Sequence, residues 1–203
     1  MVLSIATVSS PSISDKVIYE SIIFFGLDPH LKTILAVGGS LGARSINEIM
    51  AQHTSELESL NLQLIWQTGK ATAQRFIERG RPSKNVWVND FIQEMDKAYA
   101  AADVVISRAG AMSVAELCVA KKPVVFVPYP LAAEDHQTVN AKYLVDRDAA
   151  LMVKDSEVNA KLFGAITRLA TDDVLQEKLR TNIAKCAVTN ADEVIAREIL
   201  ASL

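Results

Sequence analysis

From Thr33 onward, short runs of β-branched and other apolar residues alternate with longer stretches in which apolar positions recur at helical spacing. That alternation is the pattern of βαβ units feeding a parallel sheet. Six strands are predicted, at Thr33 to Val37, Leu62 to Gln67, Asn85 to Val88, Asp103 to Ser107, Pro123 to Pro128 and Ala149 to Val153. The run VVFV in the fifth is apolar throughout, as expected of a strand covered on both faces. Helices are predicted over Ala43 to Ser59, Thr72 to Arg79, Met95 to Ala101, Ser113 to Ala120 and Gln137 to Arg147. Three more follow, over Val158 to Ala170, Asp173 to Lys185 and Asp192 to Leu200. A further helix, SDKVIYESIIFF over residues 14 to 25, carries apolar residues that need a partner surface.

The chain has 203 residues, 50% of them apolar, enough for one sizeable α/β domain with a buried core. Its net charge is −3 and its basic residues form no run, which argues against a protein that grips nucleic acid by neutralising phosphates. Cys118 and Cys186 lie far apart within apolar helical patterns and read as reduced, buried thiols, so a cytoplasmic setting is expected. The start, MVLSIATVSSPSISDK, lacks the basic and long apolar regions of a signal peptide. No apolar run approaches the roughly 20 residues that span a bilayer as a helix, so any membrane contact is expected to be peripheral.

In open parallel sheets ligands sit beyond the carboxyl ends of the strands, and four loops there are unusual. The first is GGSLGAR, Gly38 to Arg44. Its glycines let backbone approach a ligand, and the following helix offers unpaired N–H groups to an anion, which favours phosphate. The same letters satisfy GxSxG around Ser40, the nucleophile elbow of serine hydrolases. Against that reading, the serine follows the first strand rather than a late one, and the single later histidine after residue 53, His136, stands directly beside Asp135. A glycine turn that merely connects two elements is the bland alternative.

The second loop, SRAGAMSVAE, runs from Ser107 to Glu116 and leads into a helix expected to begin at Ser113. Two helix N-termini would then face one crevice, an arrangement suited to a diphosphate. SVAE has the spacing of a capping box, in which Ser113 and Glu116 satisfy each other's backbone N–H groups. The alternative is that Glu116 accepts hydrogen bonds from a ribose diol, as acidic residues do in dinucleotide folds. Both roles at once are incompatible, and the expectation is that Ser113 caps the helix while Glu116 faces the crevice.

The third loop, NDFIQEMDKAY, places Phe91 and Ile92 at a strand exit where a base could pack, unless Phe91 and Met95 simply anchor the loop to the core. The fourth, YPLAAEDHQTVNA, gathers Glu134, Asp135, His136, Gln137 and Asn140, a set suited to a polyhydroxylated ligand such as a sugar. One histidine beside carboxylates lacks metal-ligand spacing, and ordinary capping by Glu134 or Asp135 is the structural alternative.

Taken together, GGSLGARSIN, NDFIQEM, SRAGAMSVAEL and KKPVVFVPYPLAAEDHQTVNA resemble, in order and spacing, the C-terminal half of the MurG family. The resemblance runs from about Gly26 to the C-terminus. It implies an α/β, Rossmann-like, doubly wound parallel sheet, the C-terminal domain of a GT-B glycosyltransferase that converts lipid I to lipid II using UDP-N-acetylglucosamine. It further implies that Phe91 and Ile92 hold the uracil, with the Ile92 backbone reading its edge, and that Glu116 takes the ribose. Ser40 and the backbone of Ala111, Met112 and Ser113 would bind the diphosphate, and His136, Gln137 and Asn140 would face the glucosamine. No metal or cofactor is implied.

Residues 1–25 then read as a linker-like segment and helix, and 26–203 as the donor-binding domain. The family's N-terminal domain, which carries the acceptor site and the proposed catalytic base, has no counterpart here, so the lipid-linked muramoyl-pentapeptide is expected only with such a domain. Where the family carries an arginine after its Asn-Pro segment, this chain reads SSPSIS, with Pro11 retained and Ile13 in the arginine's place. In full-length members the resemblance implies a peripheral position at the inner face of the membrane. The alternatives are a sugar-nucleotide module working with a separate acceptor chain, a UDP-sugar epimerase of similar fold, and the Ser40 hydrolase. The surface facing the absent domain is expected to favour self-association.

Overall fold

The computed structural model describes residues 14–70, 73–80, 83–190 and 200. Residues 9–13 of the SSPSIS segment, the start of the helix expected at Thr72, and the helix expected over Asp192 to Leu200, except for its last position, lie outside the described residues. The elements follow in the order α1 (Asp15–Phe24), β1 (Lys32–Val37), α2 (Arg44–Ser59), β2 (Leu62–Gln67), α3 (Ala73–Gly80), β3 (Val86–Asn89) and α4 (Met95–Ala101). They continue with β4 (Val104–Ser107), α5 (Ala111–Ala120), β5 (Val124–Phe126), α6 (His136–Val145), β6 (Leu151–Met152), α7 (Val158–Thr171) and α8 (Asp173–Ala184).

The six strands form one parallel sheet in the order β3-β2-β1-β4-β5-β6. Each strand feeds one core on each face, which is why the strands read as nearly unbroken apolar runs. Ile34, Ala36, Leu64, Trp66, Val104 and Ile106 join the core under α2, α3 and α7. Their neighbours Leu35, Val37, Ile65 and Val105 join the core under α1, α4, α5 and α6. Successive strand residues point to opposite faces, so an alternation that would be polar on a one-sided sheet is apolar here.

Helix α1 finds its surface on the second face. Ile22 and Phe25 are buried, the Phe25 ring meets Trp87 edge-on at 4.9 Å, and the Lys97 ammonium of α4 lies 3.9 Å from the Phe24 ring centre. Ser14 caps the helix by accepting the Val17 N–H.

Polar residues inside the strands are paired. At the amino end of the sheet Gln63 accepts the Asp28 N–H at 3.0 Å and donates to Asp28 and Leu31 carbonyls and the Thr33 hydroxyl. Trp66, fully buried, donates its indole N–H to Asn47 Oδ1 at 2.9 Å, and Asn47 Nδ2 donates to the Thr68 carbonyl at 2.7 Å.

Two elements are shorter than their sequence suggests. Pro123 and Pro128 have no N–H to give the ladder, so β5 narrows to its three central residues. Before β6, Asp148 turns left-handed at φ 52, and the Ala149 N–H is given to the Leu144 carbonyl of α6, so pairing begins only at Leu151.

Lys122, between α5 and β5, is buried and donates Nζ to the Ala102 carbonyl at 2.7 Å. Burial pushes its ammonium down to about 8, opposed by Asp103 and aided by Arg180. Between that value and the ordinary 10.5 the unfolded chain holds a proton that the folded chain has lost, so stability rises with pH through this window. Below the window the folded state carries the whole desolvation cost, of order 1 to 3 kcal/mol. Urea unfolding from pH 7 to 10.5 should therefore show wild type gaining stability relative to Lys122→Met; parallel profiles would refute the assignment.

Candidate ligand crevice

The sheet order reverses between β1 and β4, so the loops leaving these neighbouring strands turn to opposite faces. A crevice opens at such a switch point. The loop after β1 needs its glycines. Gly39 and Gly42 have φ of 81° and 79°, and a Cβ on Gly42 would strike the Thr68 carbonyl. Only glycine allows the β1 loop to lie backbone against backbone on the exit of β2. Ser40 is exposed in this loop, and Ala43 is the extended residue from which α2 starts.

The second helix start differs from expectation. α5 begins at Ala111 with extended Gly110 as its N-cap, two residues earlier than Ser113, so Ser113 lies inside the first turn and caps nothing. A glycine N-cap leaves the first N–H groups of Ala111, Met112 and Ser113 without a side-chain acceptor from the cap, and they stand at the switch point beside β1. The capping-box reading of SVAE falls with this boundary. Glu116 does not fold back on Ser113; its Oε2 accepts the Tyr99 hydroxyl at 3.0 Å. Burial and the nearby Glu116 charge hold the Tyr99 phenol far above its ordinary range, so it remains a donor.

Ile92, with its side chain 2% exposed, fills the core, while the Phe91 ring is 42% exposed at the strand exit. Ile92 and Met95 therefore anchor this loop in place of Phe91. The Ile92 N–H is donated to Gln67 Oε1 at 3.0 Å, so the backbone group it can turn to a base edge is its carbonyl.

The β5 exit loop is strained and cross-braced. Glu134 and Asp135 are both left-handed, at φ 52 each, an unusual backbone for consecutive non-glycine residues. Asp135 is the N-cap of α6, yet its carboxylate accepts the Thr138 hydroxyl at 2.6 Å instead of a backbone N–H. His136 is exposed and its Nδ1 donates to the Ala133 carbonyl at 2.7 Å. Gln137 Oε1 accepts the N–H groups of Ala109 and Tyr129 at 3.2 and 3.0 Å, and Asn140 Nδ2 donates to the Ala109 carbonyl at 3.0 Å. Gln137 and Asn140 thus fasten the β4 and β5 loops together through the Gln137 oxygen and the Asn140 amide nitrogen.

Two braces escape sequence reading. Gln67, 3% exposed at the end of β2, takes the Ile92 N–H and gives its own amide to the Gly39 carbonyl at 3.0 Å, joining the loop after β3 to the glycine loop. Arg108 bonds Asp155 at 2.6 Å, the carbonyls of Val127 and Pro128, and Ser45 of α2 at 3.1 Å, and Ser45 in turn donates to Asp155 at 2.6 Å. This network ties together the exits of β4 and β5, the start of α2 and the turn before α7. Of the expected site residues, Ile92, Gln137 and Asn140 take part in bonds that join one loop to another.

Among the described residues Ser40 has no hydrogen bond to a histidine or carboxylate, so the hydrolase elbow lacks its base. No group of ligand-type side chains among the described residues could hold a metal ion, and none of their helices is long and apolar enough to cross a membrane.

A parallel sheet with a glycine loop and two helix starts at its point of reversal is the architecture of the C-terminal, Rossmann-like half of a GT-B glycosyltransferase. The profile of the glycosyltransferase family 28 C-terminal domain matches residues 33–196, and the chain belongs to that family. Over 180 residues it is 48% identical to the UDP-N-acetylglucosamine–N-acetylmuramyl-(pentapeptide) pyrophosphoryl-undecaprenol N-acetylglucosamine transferase of Bacteroides thetaiotaomicron, a match covering 87% of this chain and 48% of the relative. The transferase of the same name from Flavobacterium psychrophilum is 45% identical over 184 residues, covering 89% and 49%. The crystal structure of Acinetobacter baumannii MurG superposes with a TM-score of 0.73 at 34% identity, over 84% of this chain and 52% of that one. The chain spans about half the length of the relatives it matches.

Replacing Gln67 with Ala strands a buried N–H and a carbonyl, and should lower stability by about 1 to 3 kcal/mol. Amide exchange at Ile92 should accelerate well beyond that at the amino-end residue Thr33, whose N–H goes to Asp103. Equal acceleration at both would show that Gln67 does not brace these loops specifically.

Proposed function

We propose that this chain is the donor-binding half of an inverting N-acetylglucosaminyltransferase, taking UDP-N-acetylglucosamine at the crevice between β1 and β4. The observation that carries the proposal is the pair of helix starts at the switch point, Ala43 and Gly110, neither of which supplies a side-chain cap to its own N–H groups. Such donors with their positive dipole ends suit a diphosphate. The named activity of the relatives supplies the sugar and the reaction.

In the proposed reaction the acceptor's C4 hydroxyl attacks the anomeric carbon opposite UDP. The new C–O bond forms as the bond to the β-phosphate oxygen breaks, and the proton passes to a base in an acceptor-binding domain. This half meets the charge growing on the leaving diphosphate with fixed N–H dipoles and the Ser40 hydroxyl, which need no reorganisation at that moment. Phe91 offers a ring to the uracil, Glu116 a carboxylate to the ribose, and His136, Gln137 and Asn140 face the sugar. Residues 26–203 form the donor-binding domain, with residues 1–25 leading into it.

The apolar rim of the crevice suits a second domain. Leu41 in the β1 exit loop, Met112 in the first turn of α5 and Leu131 in the β5 exit loop are 76%, 70% and 79% exposed. Covered by an acceptor domain they would be buried; uncovered, they favour self-association. In a full-length assembly the reaction would run at the inner membrane face, with the lipid-linked muramoyl-pentapeptide as acceptor.

Calorimetry with UDP-N-acetylglucosamine tests the proposal. Saturable binding is expected, unchanged by EDTA and weakened about tenfold or more by Glu116→Ala, the range for loss of a charged hydrogen-bond partner. A fluorophosphonate probe should leave Ser40 unlabelled. Absence of any UDP affinity, or labelling of Ser40, would overturn the reading.

A further inference from the structure

The partnership between Tyr99 and Glu116 joins two successive helices, α4 and α5, across the β4 strand that separates them in the chain. Tyr99 lies in the last turns of α4 and Glu116 in the middle of α5, and their one polar contact is the 3.0 Å hydrogen bond from the phenol to Oε2. The Tyr99 ring is partly buried against the core beneath α1, α4 and α5, so the hydroxyl is delivered from a fixed direction. Glu116 has three rotatable side-chain bonds and is itself only partly buried. Left alone, such a carboxylate samples several rotamers, and restricting it costs entropy each time a ligand binds.

We infer that Tyr99 is the positioning residue that holds Glu116 for a ribose, and through it sets the preference for ribose over 2′-deoxyribose. The inference rests on the donor reading proposed above. The phenol occupies one lone pair of Oε2 and leaves Oε1 and the second pair of Oε2 for two hydroxyls. A carboxylate accepts at about four lone-pair sites, so the phenol and a vicinal diol can bind together. A ligand that lacks the 2′-hydroxyl loses one of those bonds, keeps only that of the 3′-hydroxyl, and so gains less from the carboxylate being held in place. The hydroxyl is also a donor that strengthens with the negative charge it serves.

The base loop is part of the same construction. α4 starts at Met95, three residues beyond Ile92, so the helix that carries Tyr99 is anchored at the point where the Ile92 N–H meets Gln67. The element that presents the base-binding loop therefore also fixes the ribose carboxylate.

The test is the affinity of the full chain for UDP and for 2′-deoxy-UDP in wild type, Tyr99→Phe, Glu116→Ala and the double variant, with melting temperature recorded for each. Tyr99→Phe should weaken UDP by about five- to tenfold, the range for a hydrogen bond to a charged group. It should weaken 2′-deoxy-UDP, which keeps only the 3′-hydroxyl bond, clearly less, so that the ratio between the two nucleotides falls toward that of Glu116→Ala. In the Glu116→Ala background, removing the Tyr99 hydroxyl should change neither affinity. An unchanged ratio in Tyr99→Phe overturns the inference, and so does an equal loss for both nucleotides, which marks a structural role. If Tyr99→Phe does not fold, Glu116→Gln, which keeps an acceptor facing the phenol, must retain part of the ribose preference that Glu116→Ala loses; equal ratios in these two also overturn it. Wild type without UDP affinity overturns the donor reading itself, a result distinct from the others.

Discussion

The structure depends on the pairing of β1 with β4, the one place in the sheet where chain direction across the strands reverses. Right-handed crossovers then send α2 and α5 to opposite faces, and their N-termini cannot be buried by each other. Two sets of unpaired N–H groups are left at one edge. Everything else along that edge, the glycine turn and the polar braces, keeps those donors in register without filling the space before them.

The braces divide by the end of the sheet they occupy. At the amino end Gln63, Thr33 and Asp103 satisfy one another and nearby backbone, which is ordinary stability chemistry. At the carboxyl end Gln67, Arg108, Gln137 and Asn140 join loops to loops. Paired polar groups in a low-dielectric setting are rigid because breaking one leaves an unsatisfied partner. Rigid loops of this kind can hold donors within the narrow tolerance that charge stabilisation requires. The consecutive left-handed Glu134 and Asp135 fit the same account, since strain persists only where its surroundings fix it.

Most of the fold was legible because each signal was local. Strand runs and helical spacing located the described strands and helices to within about two residues, and the four crevice loops were visible as punctuation between them. The start of α5 was not legible. Ser113 and Glu116 have the letters of a capping box, but Gly110 adopts the extended cap three residues before the box can form. Side-chain partners separated by long stretches of sequence were also invisible: Tyr99 with Glu116, Gln67 with Gly39 and Ile92, and Arg108 with Ser45 and Asp155. Nothing in spacing announces them, because the register of the parallel sheet creates them. The burial of Ile92, with Phe91 left outside, likewise follows from which side of the strand exit faces α4.

The central claim is that the two helix starts at the β1–β4 reversal hold a diphosphate. Backbone amide shifts of isotope-labelled protein titrated with UDP address it directly. The account predicts the largest changes at Ser40 to Ser45 and at Gly110 to Val114, with smaller ones at Phe91 and Ile92 and none at the amino end around Gln63. Shifts spread evenly over the sheet, or confined to loops away from those two helix starts, would contradict it.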